Sequence, residues 1–106
     1  MPMRIRKEIM TNEDYRLIAK AGDALGHPAR VAIFRFIYTN NLARQQVCNR
    51  DIVNEFDYAQ STVSQHMNKL TSSGLVEIQS KGPANYYFVN LGLLGQYLNA
   101  IKKLNQ

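Results

Sequence analysis

A chain of 106 residues, 45% of them apolar, has room for one compact domain spanning 1–106 and no second core. Thirteen Lys and Arg against eight Asp and Glu give a net charge of +5, a balance suited to a polyanionic partner such as nucleic acid. A single cysteine, Cys48, excludes an intrachain disulfide and fits a cytoplasmic setting. No run of about 18 apolar residues is present to span a membrane, and Met1–Met10 lacks the apolar segment of a signal peptide.

Residues 1–10 interleave Arg4, Arg6 and Lys7 with Ile5 and Ile9 and read as an N-terminal arm or helix extension. A first helix is predicted after Thr11, because a Thr followed three residues later by Asp14 has the spacing of a reciprocal N-cap. Tyr15, Ile18, Gly22 and Leu25 then recur every three or four residues as a helical stripe. Gly26 and Pro28 interrupt it, and Pro28 suits the first position of a second helix, predicted to run to Thr39 with Asn40-Asn41 at its end. Val31, Ile33, Phe34, Phe36 and Ile37 leave that helix little polar circumference, which marks it as central.

A short third helix is predicted over Asn49–Phe56, with Ile52, Val53 and Phe56 inward. After the turn Asp57-Tyr58-Ala59 a fourth runs from Gln60 to Ser73 on Val63, Met67 and Leu70, and Gly74 stops it. The period then changes to two: Leu75–Gln79 and Tyr86–Val89 read as strands joined by a turn at Lys81–Asn85. A last helix is predicted over Leu93–Leu104, with Leu94, Leu98, Ile101 and Leu104 on one side. The fold class is therefore mainly α with a small antiparallel hairpin (α+β), in the order ααααββα. Residues 49–73 form a helix-turn-helix and residues 75–90 a wing.

The fourth helix is the most informative segment. Without its inward residues it presents Gln60, Ser61, Thr62, Ser64, Gln65, His66, Asn68 and Lys69, and residues 58–76 contain no Asp or Glu. An ordinary solvated helix mixes Glu with Lys. A helix entering the major groove instead avoids carboxylates and carries donors and acceptors for base edges. Gln60, Ser61, Ser64 and Gln65 are thus candidates for base contacts. Thr62, His66, Asn68, Lys69 and the wing-tip Lys81 are candidates for the backbone, with Ser61, Thr62 and the helix N-terminus able to hold a phosphate. His66 has a second reading, as a residue that only caps or packs within the motif. Nothing in the chain suggests an enzyme: it has no paired carboxylates, no glycine-rich phosphate loop and no histidine adjacent to Cys48 in sequence.

These residues resemble the ArsR/SmtB-type winged helix-turn-helix repressors over roughly residues 15–105. Ala24-Leu25-Gly26-His27-Pro28-Ala29-Arg30-Val31-Ala32-Ile33 is similar to the stretch opening the second helix of that family. Gln60-Ser61-Thr62-Val63-Ser64-Gln65-His66-Met67, with Leu70 and Ser73-Gly74-Leu75-Val76, is similar to its reading helix, and Tyr86-Tyr87 to the end of its wing. The resemblance implies a repressor that binds an imperfect palindrome in double-stranded DNA as a homodimer built from the first and last helices, here 11–26 and 91–106. Apolar stripes on both helices support the same expectation, with Tyr15, Ile18, Gly22, Leu94, Tyr97, Leu98 and Ile101 at the dimer interface. The alternative is that both stripes pack within one subunit.

Four departures from the family pattern matter. Where relatives carry a Cys-x-Cys metal site stands Cys48-Asn49-Arg50, and Arg cannot ligate. Where others carry Asp, His and Glu on the last helix, residues 91–106 have none of them. No metal and no cofactor are therefore expected. Ala59 replaces a capping Ser at the start of the reading helix and Asp57 a turn Gly, so the turn must be held in another way, by packing of Tyr58. Two other functions remain open: a winged-helix protein-interaction module, and a sensor of a non-metal ligand near the outer helices, lined by Tyr15 and Tyr97.

Overall fold

The computed structural model describes residues 9–106. Most of the expected arm lies outside them. Ile9 and Met10 lead into α1 (Asn12–Ala24), followed by α2 (Pro28–Leu42), α3 (Asn49–Phe56), α4 (Gln60–Ser72), β1 (Val76–Lys81), β2 (Ala84–Val89) and α5 (Leu91–Leu104). This is the expected fold class and order.

Local chemistry explains the boundaries. The Thr11 hydroxyl accepts the Asp14 amide hydrogen at 3.2 Å, and the Asp14 carboxylate accepts that of Thr11 at 2.9 Å, so two otherwise unpaired amides at the start of α1 are satisfied. Pro28 opens α2 as expected. Its N-cap is His27, whose Nδ1 accepts the Ala29 amide at 3.0 Å, a role the sequence did not suggest for an imidazole.

The second helix runs three residues past Thr39, through both asparagines. Asn40 donates back to the Phe36 carbonyl at 2.8 Å, staying within the helix rather than breaking it. The chain turns one step later, where Arg44 takes a left-handed conformation and the Gln45 amide donates to Asn40 O at 2.8 Å. The hairpin strands extend further than expected because only Gly82-Pro83 separates them, with Gly82 at φ +60°. Likewise α5 starts at Leu91, since Asn90 caps it by accepting the Leu93 amide at 3.0 Å.

The core forms where α2 crosses the others. Ile33, Ile37, Ile52, Val63, Leu70, Leu75 and Val76 are fully buried, and so is Val47, which makes an isolated bridge to Tyr87 at the side of the two-stranded sheet. At about 1.5–3 kcal/mol for each large aliphatic side chain removed from water, this cluster fixes α3 and α4 against α2. Not all of α2 is central, because Val31 lies 48% exposed.

Gly74 joins α4 to β1 at φ +84°, and a Cβ there would stand 3.1 Å from the Leu93 side chain. The backbone angle favours glycine outright, and any side chain would also push Leu93 aside by a few tenths of an ångström. Beside it the buried Ser73 hydroxyl donates to Leu70 O at 2.7 Å and accepts the Leu75 amide at 3.1 Å, so the helix-to-wing junction has no unsatisfied hydroxyl.

Candidate nucleic-acid interface

The turn between α3 and α4 is set by one residue. Asp57 sits in the left-handed region at φ 54°, ψ 36°, and its amide donates to Val53 O at 3.0 Å. A short polar side chain tolerates this conformation, which is why Asp serves in place of Gly. Ala59 occupies the N-cap of α4 with no side-chain hydrogen bond. Tyr58 holds the turn instead: its ring stacks on Phe56 with centroids 5.6 Å apart and planes 13° apart, while Phe56 meets Phe36 edge-on. With no cap at Ala59, first-turn amides of α4 remain available to an external acceptor.

Val63, Met67 and Leu70 anchor α4 from below, leaving Gln60, Ser61, Ser64, Gln65, Asn68 and Lys69 exposed along its outer side. Thr62 and His66 are half-buried. His66 faces the start of α2. Its ring lies 4.9 Å from that of His27 and 6.4 Å from that of Tyr58, and its Nδ1 is 3.4 Å from Arg30 Nη1. A guanidinium only donates, so a hydrogen bond here uses this nitrogen as the acceptor, which favours the neutral imidazole. Among the expected backbone residues, His66 thus has ring neighbours at the start of α2 and in the turn before α4. Lys69 also has a partner, the Asp23 carboxylate at 3.6 Å; both side chains are well exposed, so this is a weak surface pair.

The wing is tied to the helices at its base and free at its tip. The Tyr87 hydroxyl donates to Asn49 Oδ1 at 2.7 Å, and burial raises its pKa above the usual 10.0. The Asn41 side chain accepts the Val89 amide at 2.9 Å and donates to Tyr87 O at 3.4 Å. The sequence reading had Asn41 only at the end of α2 and Asn49 only at the start of α3, because these partners lie far along the chain. At the tip, Ser80 donates to Asn85 at 2.7 Å and the exposed Lys81 ammonium stands 6.0 Å from the Tyr86 ring centroid.

At the opposite end α1 packs on α5, fastened by an ion pair between Asp14 and Lys103 at 3.1 Å whose side chains are largely shielded from solvent. The expected dimer residues divide here. Leu94 and Tyr97 pack against the chain's own core, and Ile18 and Gly22 are half-buried. Tyr15 (55%), Leu98 (56%) and Ile101 (36%) are exposed, as are Leu91 and Leu104. Cys48 caps α3: its amide donates to Asp51 Oδ2 at 2.9 Å and its thiol to the same oxygen at 3.3 Å. Among the described residues, no three His, Cys, Asp or Glu side chains gather to hold a metal.

Two groups make stability depend on pH. Burial lowers the His66 pKa below 6.5, helped by His27 and Arg30. As pH falls below 6.5 the unfolded chain binds this proton before the folded one, so stability is complete above that value and declines beneath it. The Asp14 pKa is held below 3.8, first by the hydrogen bond from the Thr11 amide and then by Lys103, so its contribution is lost as pH falls below that value. Urea unfolding between pH 8 and pH 3, as round settings, should show two declines. His66→Gln removes the upper one and Asp14→Asn the lower; a single transition near pH 4 in the parent protein would contradict the first assignment.

The sequence profile of the "Bacterial regulatory protein, arsR family" matches residues 28–77. An HTH-type transcriptional regulator of Methanocaldococcus jannaschii is 30% identical over 77 residues, covering 73% of this chain and 82% of the relative. Among solved structures, an ArsR-like transcriptional regulator from Rhodococcus sp. RHA1 superposes with a TM-score of 0.75 at 18% identity, covering 88% of this chain and 83% of its own. A homodimeric winged helix-turn-helix DNA-binding domain from Mycobacterium bovis, a possible ArsR-family transcriptional regulator, gives 0.66 at 19% identity, with 91% and 88% covered.

Proposed function

Since the chain belongs to the arsR family of bacterial regulatory proteins, we propose that it is a homodimeric transcriptional repressor that reads an imperfect DNA palindrome with α4. The observation that carries this reading is the outer side of α4. Gln60, Ser61, Ser64, Gln65 and Asn68 stand exposed on a helix without acids, above a fully buried row of Val63 and Leu70. Such a helix offers amide and hydroxyl groups to base edges without presenting a carboxylate to phosphates. Thr62, Lys69 and Lys81 serve the backbone, together with the uncapped amides at the start of α4. His66 serves it only at the margin, through its position beside Arg30.

The homodimer rests on the exposed apolar residues of α1 and α5, and the relative from Mycobacterium bovis is homodimeric. Two copies related by a dyad place their α4 helices in successive major grooves, about one helical turn apart. Control by metal through the two familiar sites is disfavoured by ligand chemistry: Arg50 cannot ligate, and α5 carries no Asp, Glu or His.

Fluorescence-anisotropy titration against the DNA upstream of the protein's own gene, over a salt series with and without Zn²⁺, tests this directly. Tight, salt-steep, sequence-selective binding that ignores Zn²⁺ is expected. Release by Zn²⁺ would overturn the metal-independent reading, and the absence of binding at any salt would point to a protein-interaction module. Within the same assay, Gln65→Ala should relax sequence choice by about 1–3 kcal/mol at one base pair, whereas Lys69→Ala should weaken all DNA binding and flatten the salt slope by about one. Equal loss of specific and nonspecific binding in Gln65→Ala would remove that residue from the reading set.

A further inference from the structure

The largest cavity among those described is an open groove of about 870 Å³ between α1, the start of α2 and α4. Lys20 and Asp23 of α1, Arg30 of α2, and Gln65, Asn68 and Lys69 of α4 line it. Three permanent cations thus face one carboxylate. Asp23 is already engaged with Lys69 at 3.6 Å. Arg30 donates to the Ala24 and Asp23 carbonyls at 2.7 and 3.3 Å, which fixes the guanidinium in place but leaves its charge uncompensated. Lys20 is exposed and pairs with no carboxylate among the described residues. The groove is therefore an oxyanion-attracting surface whose most available charge belongs to α1, outside the helix-turn-helix and the wing.

We infer that this groove seats the DNA backbone along one flank of the major groove, with Lys20 a phosphate contact supplied by α1. The inference rests on the proposed placement of α4 and extends it. A helix about 10–12 Å across fills a major groove about 12 Å wide, so phosphates border it on both sides. Gln65 and Asn68 line the groove and also belong to the outer side of α4. With α4 reading bases, the strand on the α1 side runs over Lys20, Lys69 and Arg30. Lys69 then exchanges Asp23 for phosphate while Lys20 gains its first partner. An open channel bordered by separated cations suits a continuous polyanion better than a small enclosed ligand.

The experiment compares Lys20→Gln with Lys102→Gln, an exposed lysine on α5 that keeps the same change in net charge. Affinity for operator and for unrelated duplex is measured across a fourfold salt range, with circular dichroism confirming the fold. Lys20→Gln should weaken both DNAs and reduce the slope of log K against log salt by about 0.9, so that its deficit shrinks about threefold from the lowest to the highest salt. Lys102→Gln should leave the slope unchanged. An unaltered slope in Lys20→Gln, with Lys69→Ala still flattening it, overturns the inference and leaves the reading of α4 standing. If the parent protein shows no salt-steep binding, both fail. Inorganic phosphate titrated against the protein alone supplies the other arm. Millimolar saturation that shifts the amide resonances around Lys20 and Lys69, with a normal DNA slope in Lys20→Gln, would assign the groove to a free anion and overturn the backbone assignment.

Discussion

Replacing Leu98 with glutamate is expected to convert the proposed dimer to a monomer and to weaken operator binding by about 10²–10⁴-fold. Leu98 is 56% exposed on α5 and belongs to no part of the buried core, so within one protomer the change costs little. Ile101 and Leu104 on the same helix and Tyr15 on α1 are also exposed apolar side chains, of the kind that mark an interaction surface. In a symmetric interface each substitution appears twice, and two carboxylates would be buried without partners at a cost of several kcal/mol. Once the subunits part, each α4 finds its half-site independently and the gain from tethering is lost. Sedimentation equilibrium and titration against full and half operators check this. The monomer should bind a half-site as the parent protomer does and gain nothing from the second half. Persistence of the dimer would place the interface elsewhere and give Leu98 back to solvent.

Legibility in the sequence followed the range of the interactions. Elements whose signals are local were readable: the Thr11–Asp14 cap, Pro28 at the start of α2, the span of α3, and the glycine that ends α4 all rest on residues within four positions of one another. The strain at Asp57 was readable too, because only a few side chains tolerate that backbone angle. Features set by distant partners were not. The bridge of Val47 to Tyr87 and the hydrogen bonds of Asn41 and Asn49 to β2 span about forty positions, so Asn41 read only as the end of α2 and Asn49 only as the start of α3. The outer side of α4 was visible because its buried row and its lack of acids are both properties of one helix. The opposing cations were not, since Lys20 and Arg30 meet α4 only after α1 and α2 cross it. For the same reason His66 could be listed by its position on a polar helix, while its contacts with His27 and Arg30 required the fold.

Leu70→Ala should cost about 3 kcal/mol of stability, a large share of the roughly 5–15 kcal/mol that holds a domain of this kind together. Leu70 has no exposed surface, and it lies where α4, the Ser73 turn and β1 converge, with the buried Ser73 hydroxyl donating to its own carbonyl. Three carbons removed there leave a void that Met67 and Val63, one and two turns back, cannot fill without tilting α4, because neighbouring Leu75 and Val76 are also fully or almost fully buried. Urea unfolding should show the midpoint falling by about 1–2 M at an unchanged slope. Gln65→Ala, one turn away on the exposed side, should leave the midpoint where it is. The two variants therefore separate what positions α4 from what α4 reads. Because DNA binds only the folded protein, operator at about a hundred times its dissociation constant should return about 2.7 kcal/mol to Leu70→Ala, and its choice of sequence should then match the parent protein's. A loss of selectivity that persists under those conditions would mean that the void at Leu70 displaces the reading residues themselves.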